Sequence, residues 1–197
     1  MTELHYDLTI YPDPRLRVRA AAITAFDDEL ASIVKAMFER MYASNGVGLA
    51  APQVGLKIRL FVLNEAGEPG QGEEMVFVNP TITQRVGAPN LYEEGCLSFP
   101  QIYAEVERPS SCHVTWQDLA GNEHERDFDG FLSRIIQHEY DHLEGVLLVD
   151  RMSPADKARH RHALDELVED YKATLAPAKP SKGPSWLPKR AGSKKRR

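Results

Sequence analysis

Apolar residues recur at Leu30, Ile33, Val34, Met37, Phe38 and Met41, the 3.6-residue spacing of a helix with one buried stripe, and acids gather at its start. This predicts an N-terminal helix over residues 27–42 that stops at Asn45-Gly46. From residue 47 to 128 the pattern changes to short runs with β preference, at 58–63, 75–78, 82–86 and 113–116, separated by Gly, Pro and Asn turns. Antiparallel or mixed sheet is the economical expectation. Residues 65–74 hold three glycines and a proline between two of these runs and read as a long exposed hairpin connection. After Asp129-Gly130, Phe131, Leu132, Ile135, Ile136 and Leu143 cover much of the circumference of a helix, as expected of one buried in the middle of a domain. A last helix is expected from Ser153 as N-cap, with Pro154 in the first turn and Leu164, Leu167, Val168, Tyr171 and Leu175 on one stripe, ending before Pro177.

Composition narrows this picture. With 197 residues, 42% apolar and 27% charged, the chain suits one compact domain with a substantial core. No stretch approaches the ~20 apolar residues that span a bilayer, and residues 1–10 lack a signal-peptide layout, so no membrane partner and a cytoplasmic location are expected. Two cysteines, Cys96 and Cys112, are too few for a secreted disulfide scaffold. Charge divides the chain in two. Residues 176–197 carry eight Lys or Arg and no acid, whereas residues 1–175 carry 16 basic against 29 acidic side chains, a net −13. The expected organisation is therefore a catalytic domain over 1–175 followed by a basic tail over 176–197, whose Pro, Lys, Ser and Gly content predicts disorder.

Residues 137–145 read Gln-His-Glu-Tyr-Asp-His-Leu-Glu-Gly. On a helix, His138 and His142 share one face about 6 Å apart, close enough to bind one ion, and Glu139 can reach a water on that ion. A match of this kind also fits a charged helix surface, and the apolar flanks count against that reading. The expected architecture is thus α+β: antiparallel or mixed β-sheets around a central metal-binding helix, with an N-terminal and a C-terminal helix. Two histidines leave a catalytic ion short of protein ligands, since such sites usually take three and keep a fourth position for water. Cys96, an Asp or Glu, or another histidine can complete the set. His160 and His162 sit among Lys157, Arg159 and Arg161 on what reads as a solvated basic face, while His5, His113 and His124 show no ligand spacing. Cys112 reads as a small buried hydrophobe.

Three separated segments, Gly46-Val47-Gly48-Leu49-Ala50-Ala51-Pro52-Gln53, Glu94-Gly95-Cys96-Leu97-Ser98 and residues 137–145, resemble the three signature motifs of the peptide deformylases, in the family's order. Pro12-Asp13-Pro14-Arg15-Leu16-Arg17 is similar to the family's N-terminal region, so the resemblance covers roughly residues 5–175 and leaves the tail outside. It implies that Cys96, His138 and His142 bind one divalent ion with water as fourth ligand, and that Glu139 is the general base. The reaction implied is removal of the formyl group from the initiating methionine of nascent polypeptides, giving formate and a free amine. The Gln53 side-chain amide and the Leu97 backbone N–H would join the metal in stabilising the oxyanion. Gly46, Val47 and Gly48 would bind the substrate backbone as a strand, which favours sequence-tolerant recognition.

Phe131 and Ile135, one or two helical turns before His138, are the expected wall of the methionine pocket. Arg134 shares the His138 face, and since a guanidinium cannot line an apolar pocket unpaired, its head is expected to point to solvent or to an acid at the pocket mouth. Glu94, beside the metal loop, would need a cationic partner if buried, and the family resemblance implies Arg108 for it, against the alternative of a solvated turn residue. Thiolate and imidazole ligands suit Fe2+, Zn2+, Ni2+ or Co2+, and the resemblance favours Fe2+. A monomer is expected. The basic tail is expected either to contact ribosomal RNA by phosphate attraction or merely to solubilise the chain. The competing functions are a peptidase of the HExxH type and a non-catalytic ribosome-associated protein with a structural metal. The cysteine and the Gly46–Gln53 motif weigh against the first, and the second would need a fourth protein ligand and leave Glu139 idle.

Overall fold

The computed structural model describes residues 4–175. Helix α1 (Asp28–Ala43) begins where Asp27 accepts a side-chain hydrogen bond from the Leu30 N–H at 3.0 Å and ends just before Asn45, which takes a left-handed φ of 55°. Five strands follow, β1 (Gly48–Ala50), β2 (Leu60–Leu63), β3 (Met75–Cys96), β4 (Phe99–Gln117) and β5 (Glu123–Asp129), and form one antiparallel sheet in sequence order. Residues 64–74 connect β2 to β3 as the expected long loop, organised by the buried Asn64, whose Nδ2 donates to the Gln71 carbonyl at 2.8 Å. Helix α2 (Gly130–Leu143) then crosses the sheet, and α3 (Leu148–Arg151), α4 (Pro154–Arg159) and α5 (Arg161–Leu175) close the described chain.

Alternation along β2 shows how the sheet separates the two main helices. Leu60 and Val62 turn toward α1, where they pack with Leu30, Val34 and Met37. Phe61 and Leu63 turn to the other face and pack with Phe77, Phe128, Ile135, Ile136 and Leu143, so α2 is buried as expected. Each fully buried large side chain of this kind contributes about 1.5–3 kcal/mol of burial free energy. A third cluster gathers Cys96, Phe99, Ile102, Ala104 and Val106 against Leu147, Leu148 and Met152, which packs the end of the β3–β4 hairpin against α3 and its caps.

Several elements differ from the expectation. Runs 75–78 and 82–86 are parts of a single strand that continues to Cys96 through bulges, and the run at 113–116 belongs to a strand that starts at Phe99. Strand β5 is polar apart from Phe128 and owes its form to the ladder with β4, which sequence alternation does not register. The last helix is two: Ser153 caps α4 through its hydroxyl, as expected, but the helix stops at His160 before α5 begins. No residue of α5 is fully buried, and Leu164 and Leu167 touch the third cluster only from its edge. No helix among the described residues is long and apolar enough to cross a membrane. The basic tail expected over 176–197 lies outside the described residues.

Candidate metal centre and its cavity

Cys96 ends β3, and the two-residue turn Leu97-Ser98 returns the chain as β4, with Cys96 paired across to Phe99. That turn brings the sulfur over the buried face of α2, one helical turn of which carries His138 and His142. Donor atoms of Cys96, His138 and His142 all lie within 4.8 Å of one another, and Cys96 Sγ is 3.3 Å from His142 Nε2. A thiolate and two imidazoles at this spacing fit one borderline-soft divalent ion with a fourth position open.

Behind the ligands stands a buried ionic network. Glu94 Oε2 meets His138 Nδ1 at 2.9 Å, and Arg108 donates to Glu94 at 2.7 and 2.9 Å, so the expected Glu94–Arg108 pair is present. The same guanidinium donates to Asp141 at 2.7 Å, and Arg151 donates to Asp141 from the other side at 2.6 and 2.9 Å. Burial alone would raise the Glu94 carboxyl, but hydrogen bonds from His138 and Arg108 outweigh it and hold the group well below the usual carboxylate range. Against burial, which favours the neutral ring, hydrogen bonds with Cys96 and Glu94 hold His138 above its ordinary value. His142 is driven the other way, by burial and by the positive charges of His138 and Arg108.

Glu139 points into the open side of the site. Its Oε2 is buried with no hydrogen-bond partner, and burial pushes its carboxyl up to about 7. Gly48 on β1 permits this placement, because a Cβ there would stand 2.6 Å from Glu139 Oε1 and 2.9 Å from Ile135 Cγ2. Gln53, in the short turn after β1, accepts from the Ala50 N–H at 2.8 Å through Oε1, which aims Nε2 at Cys96 Sγ, 3.6 Å away, and at Ser98 Oγ, 3.4 Å away.

A cavity of about 680 Å³ opens above these groups and is lined by Gly46, Val47, Gly48, Gln53, Cys96, Leu97, Phe131, Ile135, His138 and Glu139 among others. All the expected site residues except His142 therefore border it, and His142 lies beneath as a buried ligand candidate. Ile135 is a deep wall, whereas Phe131 is 39% exposed and stands at the mouth. Of the two expected environments for the Arg134 head, solvent or an acid at the pocket mouth, the structure shows the acid. Arg134 is buried, and its head is satisfied by Glu94 Oε1 at 3.1 Å, the Val106 carbonyl at 3.0 Å and both oxygens of Asn90. Asp141 and Arg151 were not singled out by the sequence, although Asp141 lies within the histidine motif. His113 and His124 pair with Asp127 and Asp118 on the sheet surface, away from this cluster.

The sequence profile of the family described as Polypeptide deformylase matches residues 5–158. The chain is 44% identical over 182 residues to the peptide deformylase 1B, chloroplastic/mitochondrial, of Arabidopsis thaliana, covering 92% of this chain and 67% of that protein. It is also 44% identical over 170 residues to the peptide deformylase 1B, chloroplastic, of Oryza sativa subsp. japonica, covering 86% and 63%. The chain thus spans about two thirds of the length of these curated relatives. A crystal structure of a plant peptide deformylase superposes with a TM-score of 0.87 at 44% identity, covering 91% of this chain and 98% of the other.

Proposed function

The chain belongs to the polypeptide deformylase family, and from that premise we propose that it hydrolyses the N-terminal formyl group of formyl-methionyl polypeptides, releasing formate and a free amino terminus. The observation that carries the proposal is the donor set of buried Cys96, half-buried His138 and buried His142 at the floor of a cavity into which Glu139 and Gln53 project. These three residues would hold one divalent ion, Fe2+ by family resemblance, and their donor chemistry also accepts Zn2+, Ni2+ or Co2+. When bound, such an ion supplies Lewis acidity to the carbonyl and eases ionisation of water.

Glu139 takes the proton from the attacking water as the new C–O bond forms, then delivers it to the amine nitrogen as the C–N bond breaks. A carboxyl near pH 7 can do both at physiological pH. As charge grows on the formyl oxygen, the Gln53 amide and the Leu97 N–H donate to it, and Gln53 needs no reorientation because Ala50 already fixes its amide. Gly46, Val47 and Gly48 offer an extended backbone to the peptide, while Ile135 and Phe131 take the methionine side chain.

Residues 1–175 form the catalytic unit in this reading, as a monomer in a reducing compartment such as the cytoplasm, consistent with two buried unpaired cysteines. The tail at 176–197 is assigned to ribosomal RNA on its charge alone. The test of function is formate release from formyl-Met-Ala-Ser by anaerobically purified protein, with Glu139→Gln as control and metal content measured on both. Activity in the parent and its loss in a variant that keeps its metal is the expected result. A fully metallated parent that releases no formate overturns the proposal.

A further inference from the structure

We infer that Arg134 is a positioning residue that sets the mouth of the cavity, and through it the enzyme's discrimination among first side chains, rather than supporting the metal. The inference rests on the deformylase reading of the site. Strand β3 pairs with β2 only from Met75 to Val78 and beyond that point with β4 alone, so its exposed outer part is tied to the rest of the domain by individual side-chain contacts. Arg134, rising from α2, supplies one of them. Its guanidinium donates to the Asn90 carbonyl at 3.0 Å and to the Asn90 side chain, and it reaches across to the Val106 carbonyl of β4 at 3.0 Å. One planar fork thereby joins the metal helix to both strands of the hairpin.

The joined segment carries the outer wall. Tyr92, two residues past Asn90, places its ring 5.7 Å from the Arg134 guanidinium carbon and 5.7 Å from the ring of Phe131. Both rings line the cavity, and both are substantially exposed, so no surrounding core holds them. Their spacing depends on what fixes the β3–β4 hairpin against α2 beside Tyr92, and Arg134 makes that connection with two acceptors on Asn90 and one on Val106. Its bond to Glu94 is redundant by contrast, because Arg108 already gives that carboxylate two donors at 2.7 and 2.9 Å. Support of the ligand His138 therefore survives the loss of Arg134, whereas the wall does not.

The experiment compares kcat and KM of the metal-loaded parent, Arg134→Met, Arg134→Lys, Tyr92→Ala and the double variant Arg134→Met/Tyr92→Ala on formyl-Met-Ala-Ser and formyl-Ala-Ala-Ser. Arg134→Met should lower the preference for methionine by roughly tenfold, through KM, with one metal per chain retained. Arg134→Lys, which keeps the charge and loses the fork, should fall between. The double variant should discriminate no worse than Tyr92→Ala, because both changes remove the same wall. Loss of metal or a fall in kcat with unchanged preference in Arg134→Met would overturn the inference, as would fully additive effects. Inactivity of the parent would instead reject the deformylase reading itself.

Discussion

The carboxylate of Glu94 meets Nδ1 of His138 at 2.9 Å, which commits one nitrogen of the ring to the protein and turns the other toward Cys96 and His142. A ligand imidazole held in this way has its tautomer and its plane fixed before any ion arrives. Glu94→Gln keeps the shape but gives up the negative charge that the Arg108 and Arg134 guanidiniums share and that the His138 ring donates to. Metal affinity should drop by about 10- to 100-fold. Competition with a chromophoric chelator measures it, and parent-like retention would remove Glu94 from this role.

The same residue predicts an acid dependence. Burial would raise the Glu94 carboxyl, and hydrogen bonds from His138 and Arg108 more than reverse that, so the folded value lies well below the unfolded one. A depressed carboxylate stabilises the fold above its unfolded pKa, and the contribution is lost as pH falls through the folded value, because the unfolded chain then binds the extra proton. Melting temperature of the parent should fall progressively once pH drops below about 4. Glu94→Gln should start lower and show a shallower slope; parallel curves would place the acid sensitivity elsewhere.

Gly48 is the tightest constraint on Glu139, the proposed general base. A methyl group at this position would meet Glu139 Oε1 at 2.6 Å and Ile135 Cγ2 at 2.9 Å, so the Glu139 carboxylate and the Ile135 side chain must both turn away from β1 to admit it. Gly48→Ala should therefore reduce kcat by about 100-fold, the scale on which small misplacements of reacting groups act, while metal content is unchanged. Formate release at saturating substrate checks this. Full activity would mean that Glu139 works from a position other than the one the fold gives it.

What the sequence disclosed and what it hid follow from the range over which each feature is determined. Helix α1 was legible because its cap at Asp27 and its apolar stripe are local, and the approach of His138 to His142 on α2 because four residues separate them. Strand β3 was not, since residues 83–93 are exposed throughout and owe their extended form to hydrogen bonds with β4 rather than to any alternation of their own. Burial of Arg134 was hidden for the same reason: its acceptors at Asn90 and Val106 lie 44 and 28 residues away, and a backbone carbonyl leaves no signature in composition.

Arg108 and Arg151 offer a controlled comparison of burial, because both bond the same carboxylate. Arg108 donates to Asp141 at 2.7 Å with its side chain 6% exposed, and Arg151 does so at 2.6 Å with its side chain 42% exposed. Distance would rank them equal. Burial does not, since removing Arg108 strips a desolvated charge from Glu94 and Asp141 together, at a cost of about 3–5 kcal/mol. Arg151 shares its charge with water and leaves Asp141 still paired to Arg108, so its loss should cost about 1 kcal/mol or less. Denaturant unfolding of Arg108→Met and Arg151→Met at equal metal saturation separates the two, because bound metal would otherwise shift both midpoints. Equal losses would show that the network is held by Asp141 alone, with Glu94 contributing nothing to the worth of Arg108.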